Sequence, residues 1–189
     1  MKNKIKEFLI PIVVLTLIAA VMAALLGGTN LLTAERIAVL SAKAETEAVS
    51  KVIKADNYQK KEVTTDTGVH TYYEALQNGA TVGYAFTTSH NGYGGAVSIV
   101  VGINTLGGVT AVEITDVSNE TPGLGQNAKK DSFTDQFKGK TAIGEVKKTG
   151  AQGNDINAVT GATITSRAVA NAVNAALEYY DAVKEGDEE

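Results

Sequence analysis

Hydroxyl side chains cluster where the sequence predicts the start of a long helix. Thr160, Thr163, Thr165 and Ser166 surround Gly161 within one short stretch. The apolar residues that follow recur with the spacing of one helical face, at positions 164, 168, 172, 173, 176, 177, 180 and 183. The first turn of a helix carries unpaired N–H groups and the positive end of the helix dipole, so this stretch could bind a phosphate. The alternative is that Thr163 or Thr165 only caps the helix.

Three short segments of this chain resemble one known family. Thr160-Gly161-Ala162-Thr163 resembles the flavin-attachment motif of the FMN-binding domain family, and Gly92-Tyr93-Gly94-Gly95 and Glu120-Thr121-Pro122-Gly123-Leu124-Gly125 are similar to two other segments of that family. The family includes the G subunit of the Rnf electron-transport complex and the C subunit of the Na+-pumping NADH:quinone reductase. The short chain without added insertions is more similar to the G subunit. The resemblance implies that Thr163, the last residue of the motif, carries FMN through a phosphoester bond.

The resemblance also implies a function and a set of partners. It implies an electron-carrying subunit of an Rnf-type ferredoxin:NAD+ oxidoreductase coupled to Na+ or H+ movement, with the redox chemistry supplied by FMN and no catalytic residue on this chain. Its partners would be the other membrane and peripheral subunits of that complex and the transferase that attaches the flavin. The alternatives are a stand-alone extracytoplasmic FMN carrier, the C subunit of the quinone reductase, or a non-redox anchored scaffold.

The expected roles of the flavin-site residues follow from this resemblance. Gly161 would let the backbone approach the phosphate, and Thr165 and Ser166 would donate hydrogen bonds to it. The loop from Glu120 to Gly125 would line the ring, or would be an ordinary Pro-Gly turn. Tyr93 would stack on the ring or fill the core, and Lys129 would pair with the phosphate or ring or lie on the surface. The predicted cofactor-binding residues are Thr163, Thr160, Gly161, Ala162, Thr165, Ser166, Glu120, Thr121, Gly123, Leu124, Gly125, Tyr93 and Lys129.

Composition argues against several other classes of site. The absence of cysteine excludes disulfides, iron–sulfur ligation and thiolate metal sites on this chain. The two histidines, His70 and His90, lie far apart in the sequence, so we expect no metal site. The net charge of −4 argues against a nucleic-acid partner. Gly123, Gly125 and Ala128 match a loose dinucleotide-binding pattern, but no βαβ unit surrounds them.

An uncharged stretch near the N-terminus predicts a membrane anchor. Residues 8–26 carry no charge, and at about 1.5 Å per residue they come close to spanning the ~30 Å hydrocarbon core. Lys2, Lys4 and Lys6 precede this stretch, which places the N-terminus in the cytoplasm and the residues beyond about 27 outside it. A cleaved signal peptide is the alternative, but no small-x-small cleavage site follows promptly. Membrane lipid is therefore an expected partner.

The remaining pattern predicts an α+β domain with an antiparallel sheet and flanking helices. Residues 27–30 should break the first helix, and a second helix should run from 31 to 54. Strands are predicted at 71–76, 81–87, 96–104 and 109–117, with an Asn-Gly hairpin turn after the first. A helix is predicted at 126–138 and a strand at 145–148. The predicted organisation is a cytoplasmic tip and transmembrane anchor at 1–28, a linking helix at 29–56, an FMN-binding domain at 57–184 and an acidic tail at 185–189.

Overall fold

The computed structural model describes residues 2–187, with the side chains of residues 9–186. Met1, Glu188 and Glu189, which belong to the predicted tip and tail, lie outside the described residues, as do the side chains of the three N-terminal lysines. The chain divides into two compact units, one ending at Lys43 and the other beginning at Ala44. The second unit therefore includes the last turns of the first helix, which were predicted to belong to a linking helix.

The first helix, α1, runs without interruption over Lys2–Val52. The predicted break at 27–30 and the separate helix at 31–54 are therefore wrong. Gly27 and Gly28 together cost a helix about 2 kcal/mol relative to alanine, which a long apolar helix tolerates. The hydroxyls of Thr29 and Thr33 also donate hydrogen bonds to carbonyls one turn earlier, at Leu25 and Thr29. Within the described residues, α1 is the one helix long and apolar enough to cross a membrane, by length and composition alone.

The second unit is built on a five-stranded antiparallel sheet whose strands follow one another in chain order. The predicted meander and its hairpin turn are confirmed, since Asn78 and Gly79 both have the positive φ that such a turn needs. The first strand was not predicted. It is an edge strand with mostly exposed polar side chains, so it lacks an apolar alternation. The strands are β1 Asn57–Thr65, β2 Gly68–Gln77, β3 Ala80–Asn91, β4 Ala96–Asn104 and β5 Val109–Asp116.

Each face of the sheet is covered by a helix. The long C-terminal helix, α3 (Thr163–Asp187), packs its buried residues against one face, where Phe86 and Val101 are fully buried. The last turns of α1 cover the other face, against the alternate residues Ala85 and Val100. The Thr88 hydroxyl also donates to the Ala172 carbonyl, at 2.9 Å, which fixes β3 against α3.

The connection between β5 and α3 is irregular and forms the surroundings of the α3 start. The predicted helix at 126–138 is wrong as a single element, because Lys130 has an extended backbone and divides it. In its place are a 3-10 helix Gly125–Lys129, α2 Asp131–Thr134 and a 3-10 helix Asp135–Phe137. Two short strands follow and pair in parallel, β6 Val146–Lys147 and β7 Ile156–Asn157. This pairing brings the chain before α3 next to residues 146–148.

Candidate functional site

A cavity of about 820 Å³ opens at the first turn of α3. Its volume lies in the range typical of small-molecule sites. Residues from four parts of the chain form its wall: the glycine loop after β3, the loop after β5, the segment after β6, and the stretch leading into α3. The lining residues are Tyr93, Glu120, Thr121, Leu124, Gly125, Lys148, Thr149, Ala158, Val159, Thr160, Gly161, Ala162, Thr163, Ile164 and Thr165.

The three hydroxyls in the first turn of α3 have different surroundings. The buried Thr165 hydroxyl donates to Oε2 of Glu120 at 2.6 Å. The buried Ser166 hydroxyl donates to the Ala162 carbonyl and accepts from the Val159 amide, both at 2.9 Å. The Thr163 hydroxyl has no hydrogen-bond partner in the described part of the structure, and the residue is only partly buried. Thr163 therefore presents the one uncommitted hydroxyl of this turn to the cavity.

The backbone of the same turn offers hydrogen-bond donors. The Ala162 carbonyl accepts the first helical hydrogen bond, from the Ser166 amide, so the helix begins at Thr163. The amides of Thr163, Ile164 and Thr165 have no acceptor within the described part of the chain, and neither threonine hydroxyl caps them. These donors and the helix dipole favour an anion at this position. An oxyanion joined to Thr163 would lie beside them.

Gly161 and Leu124 bring two segments into close approach at the cavity. Gly161 has φ of +75°, which favours glycine. A Cβ at this position would lie 2.9 Å from Cδ2 of Leu124. Leu124 itself is 43% exposed, so it presents an apolar surface to the cavity. Any larger residue at position 161 would displace that side chain as well as strain the backbone.

The carboxylate of Glu120 is buried, with only 2% of the residue exposed. Burial by itself raises the pKa of this group. Hydrogen bonds from the Thr165 hydroxyl and from the amides of Gly94, Tyr93 and Gly95 outweigh burial, so its pKa lies below the ordinary value and the group is ionised at neutral pH. Its charge is therefore a fixed feature of the cavity wall.

Glycines surround this carboxylate because a side chain there would collide with it. A Cβ at Gly125 would lie 2.5 Å from Oε2 of Glu120 and 2.9 Å from Oγ1 of Thr165. A Cβ at Gly92 would overlap Oε1 of the same carboxylate, and one at Gly94 would overlap the Asn119 carbonyl. The glycines of both loop segments thus allow the backbone to close around Glu120.

The structure brings most of the predicted residues to the cavity and places three of them elsewhere. Ser166 lies buried behind the wall, and Gly123 lines a neighbouring cavity that also contains Leu124 and Thr160. Lys129 lines a separate charged groove with Lys51 and Glu113. The lysine expected beside the ligand is therefore not at this cavity.

Sequence reasoning missed Lys148, which is the one cationic side chain among the described residues that line the cavity. No local motif marks it. It reaches the cavity because β6 pairs in parallel with β7, which places residue 148 beside Ala158. Its neighbour Lys147 instead pairs with Asp155 at 2.5 Å. Ile164 shares the apolar spacing of the α3 face but is 51% exposed, and it lines the cavity at the first turn of the helix.

Comparison with known proteins identifies a family for this arrangement. Residues 92–178 match the FMN-binding domain family. The chain is 37% identical over 185 residues to the G subunit of the Na(+)-translocating ferredoxin:NAD(+) oxidoreductase complex of Acetobacterium woodii, covering 88% of each chain. It is 43% identical over 112 residues to the G subunit of the proton-translocating ferredoxin:NAD(+) oxidoreductase complex of Clostridium ljungdahlii, covering 59% of this chain and 60% of that one.

A solved structure shares the fold. The crystal structure of Shewanella oneidensis NqrC superposes with a TM-score of 0.51 at 18% sequence identity, over 65% of this chain and 64% of that one. Together, the membrane-spanning length of the apolar helix α1 and the match to the G subunit of an ion-translocating complex indicate a chain anchored in a membrane by a single helix. The chain belongs to the family of G subunits of ion-translocating oxidoreductase complexes and contains an FMN-binding domain.

Proposed function

We propose that this chain carries FMN joined through its phosphate to the Thr163 hydroxyl, and that it passes electrons as the G subunit of an Rnf-type, ion-translocating ferredoxin:NAD+ oxidoreductase. The observation that carries the attachment site is the contrast within the first turn of α3. Thr165 and Ser166 have committed their hydroxyls, whereas the Thr163 hydroxyl faces the cavity with no partner in the described chain.

The residues at the cavity fit a phosphate that bears a flat apolar ring. The free amides of Thr163, Ile164 and Thr165 supply donors for phosphate oxygens, and the helix dipole favours the negative charge that a phosphodiester retains. Exposed apolar surface at Tyr93 and Leu124 suits a ring. When bound, FMN supplies the electron-transfer chemistry. The protein holds it, shields it and sets its electrostatic surroundings.

Thr163 becomes part of an ester in this proposal. A new bond forms between its Oγ1 and the phosphorus of the FMN group, which is supplied by a flavin donor activated as a phosphoanhydride. The anhydride P–O bond to the donor's leaving phosphate group breaks, and the hydroxyl proton is released. Among the described residues we find no nucleophile–base pair or metal cluster at the cavity for this step, so the proposal includes a separate flavin-attaching transferase. The exposure of Thr163 and Thr160 at the cavity rim is consistent with access by such an enzyme.

The proposal also includes the location of the domain relative to the membrane and its partner subunits. The exposed apolar side chains of α1 contact membrane lipid, and the three N-terminal lysines place that end in the cytoplasm, so that the flavin domain lies on the extracytoplasmic side. The other membrane and peripheral subunits of the complex are the proposed partners. The coupling ion is Na+ or H+, since the G subunits of both kinds of complex are relatives of this chain.

Mass spectrometry tests the proposed attachment directly. The full chain, produced with a flavin-attaching transferase and exported, is digested, and the peptide that contains Thr163 is analysed. We expect the added mass of FMN less one water, localised by fragmentation to Thr163. The same mass on Thr160, or an unmodified Thr163 peptide from protein made with a demonstrably active transferase, would contradict the proposal.

A further inference from the structure

The glycine loop that carries Tyr93 is attached to the rest of the site through one carboxylate. The Gly94 amide donates to Oε1 of Glu120 at 3.0 Å. The neighbouring amides of Tyr93 and Gly95 lie close enough to help lower the pKa of this carboxyl. The loop is therefore held to a single buried negative charge through the Gly94 amide.

The same carboxylate is attached on its other side to the helix that carries Thr163. Its Oε2 accepts from the Thr165 hydroxyl at 2.6 Å, within the first turn of α3. The Gln126 side-chain amide donates to the Glu120 carbonyl at 3.1 Å, which holds the residue's own backbone in place. Glu120 thus joins the Tyr93 loop to the turn that presents Thr163.

No side-chain hydrogen bond or ring contact among the described residues fixes the Tyr93 side chain. The residue is 73% exposed, and its ring makes no ring–ring contact within the described part of the chain. It lines the same cavity as Thr163. The position of the ring therefore depends on the position of its backbone.

We propose that Glu120 is a positioning residue that sets where the Tyr93 ring stands at the cavity, by fixing the Tyr93–Gly95 backbone to the first turn of α3. The part of this proposal that concerns flavin rests on the proposed function, and the part that concerns the loop does not. In the loaded protein, Glu120 determines the contact between the Tyr93 ring and the flavin through the loop backbone.

The chain contains no tryptophan, so a single indole can report on the loop without any flavin. The full-length Tyr93→Trp variant is made without the transferase and held in detergent micelles, and the fluorescence anisotropy of its indole is measured. We expect high anisotropy that falls clearly when Glu120→Gln or Thr165→Val is added. Thr165→Ser, which keeps the hydroxyl, should restore most of it. Glu113→Gln is the matched control, since it removes an exposed carboxylate paired with Lys51 outside this site.

Unchanged anisotropy in both Glu120→Gln and Thr165→Val would overturn the proposal, as would an equal fall in Glu113→Gln. If Glu120→Gln fails to fold, the comparison of Thr165→Val with Thr165→Ser decides the question alone. This readout needs no flavin, so it stands whether or not Thr163 is modified.

Flavin fluorescence in the loaded protein tests the consequence for the cofactor. An aromatic ring in contact with flavin quenches its emission, so Glu120→Gln and Tyr93→Ala should each raise emission severalfold. The double variant should match Tyr93→Ala alone, because Glu120 acts through Tyr93. If flavin emission were higher in the double variant than in Tyr93→Ala, Glu120 would not act through Tyr93 alone, which would contradict the proposal. Absence of flavin from wild type would instead count against the proposed function and leave the anisotropy result intact.

Discussion

The Thr165 hydroxyl donates a 2.6 Å hydrogen bond to Oε2 of Glu120, a residue 45 positions earlier in the chain. Both residues are almost completely buried. This contact ties the loop after β5 to the first turn of α3. It also commits the Thr165 hydroxyl to a carboxylate, which leaves Thr163 as the hydroxyl available at the cavity.

Removing the Thr165 hydroxyl should destabilise the domain. Thr165→Val leaves a buried carboxylate without one of its donors, which costs about 1–3 kcal/mol. Thr165→Ser keeps the hydroxyl donor, so its free energy of unfolding should fall much less. The free energy of unfolding of the full chain in detergent, followed by near-ultraviolet circular dichroism, measures both. Equal stability of Thr165→Val and wild type would show that the hydrogen bond contributes nothing.

The contribution of Glu120 to stability should depend on pH. Its pKa is lower in the folded protein than the ordinary value of about 4.5, so the folded state binds this proton less readily than the unfolded state. The resulting stabilisation is fully present above pH 4.5 and is lost as the pH falls through the folded-state pKa. The difference in unfolding free energy between wild type and Glu120→Gln should therefore be constant near neutrality and shrink in acid. If this difference in unfolding free energy instead grew in acid, the folded-state pKa of Glu120 would lie above its ordinary value, which would contradict the prediction.

Gly94→Ala should disrupt the loop for steric reasons alone. The φ of Gly94 is not in the left-handed region, but its Cβ would overlap the Asn119 carbonyl, which is backbone and cannot rotate away. We expect a loss of about 1–3 kcal/mol in unfolding free energy. Gly186→Ala is the control, because its Cβ meets open space near the end of α3 and should cost nothing. Similar stability of the two variants would argue against the close packing around residue 94.

Lys148→Gln should weaken reversible FMN binding. Lys148 is the one cation among the described residues at the cavity, and no described residue pairs with it. In a Thr163→Val background, where the ester cannot form, we expect the Kd to rise about 3- to 10-fold, or roughly 1 kcal/mol. Lys147→Gln is the matched control, because Lys147 pairs with Asp155 away from the cavity. Titration calorimetry would contradict the role of Lys148 if both variants had the same Kd.

The sheet could be predicted from sequence because its signals are local. Strands β2 to β5 contain apolar runs separated by turn residues, and the turn at Asn78 and Gly79 has the backbone that its sequence indicates. Strand β1 could not be recognised, since a solvated edge strand needs no apolar alternation. The break expected at Gly27 and Gly28 was wrong because glycine weakens a helix without preventing its hydrogen bonds.

The candidate site was only partly predictable, since long-range packing builds it. The motif around Thr163 identifies a candidate threonine. It does not indicate that the Thr165 hydroxyl donates a hydrogen bond to Glu120. Nor does it indicate that Glu120, which was expected to line the flavin ring, has a buried carboxylate. Lys148 reaches the cavity through the pairing of two very short strands, and nothing in its neighbours signals this. Lys129, the lysine predicted from sequence, lines a different groove.

The most direct test of the account is flavin fluorescence of the denatured protein band under ultraviolet light. Wild type, Thr163→Val and Thr149→Val are each produced with an active flavin-attaching transferase and exported. Thr149 is a suitable control because its side chain lines the same cavity outside the motif. We predict fluorescent bands for wild type and Thr149→Val and a dark band for Thr163→Val. A fluorescent Thr163→Val band, or a dark wild-type band, would contradict covalent FMN on Thr163.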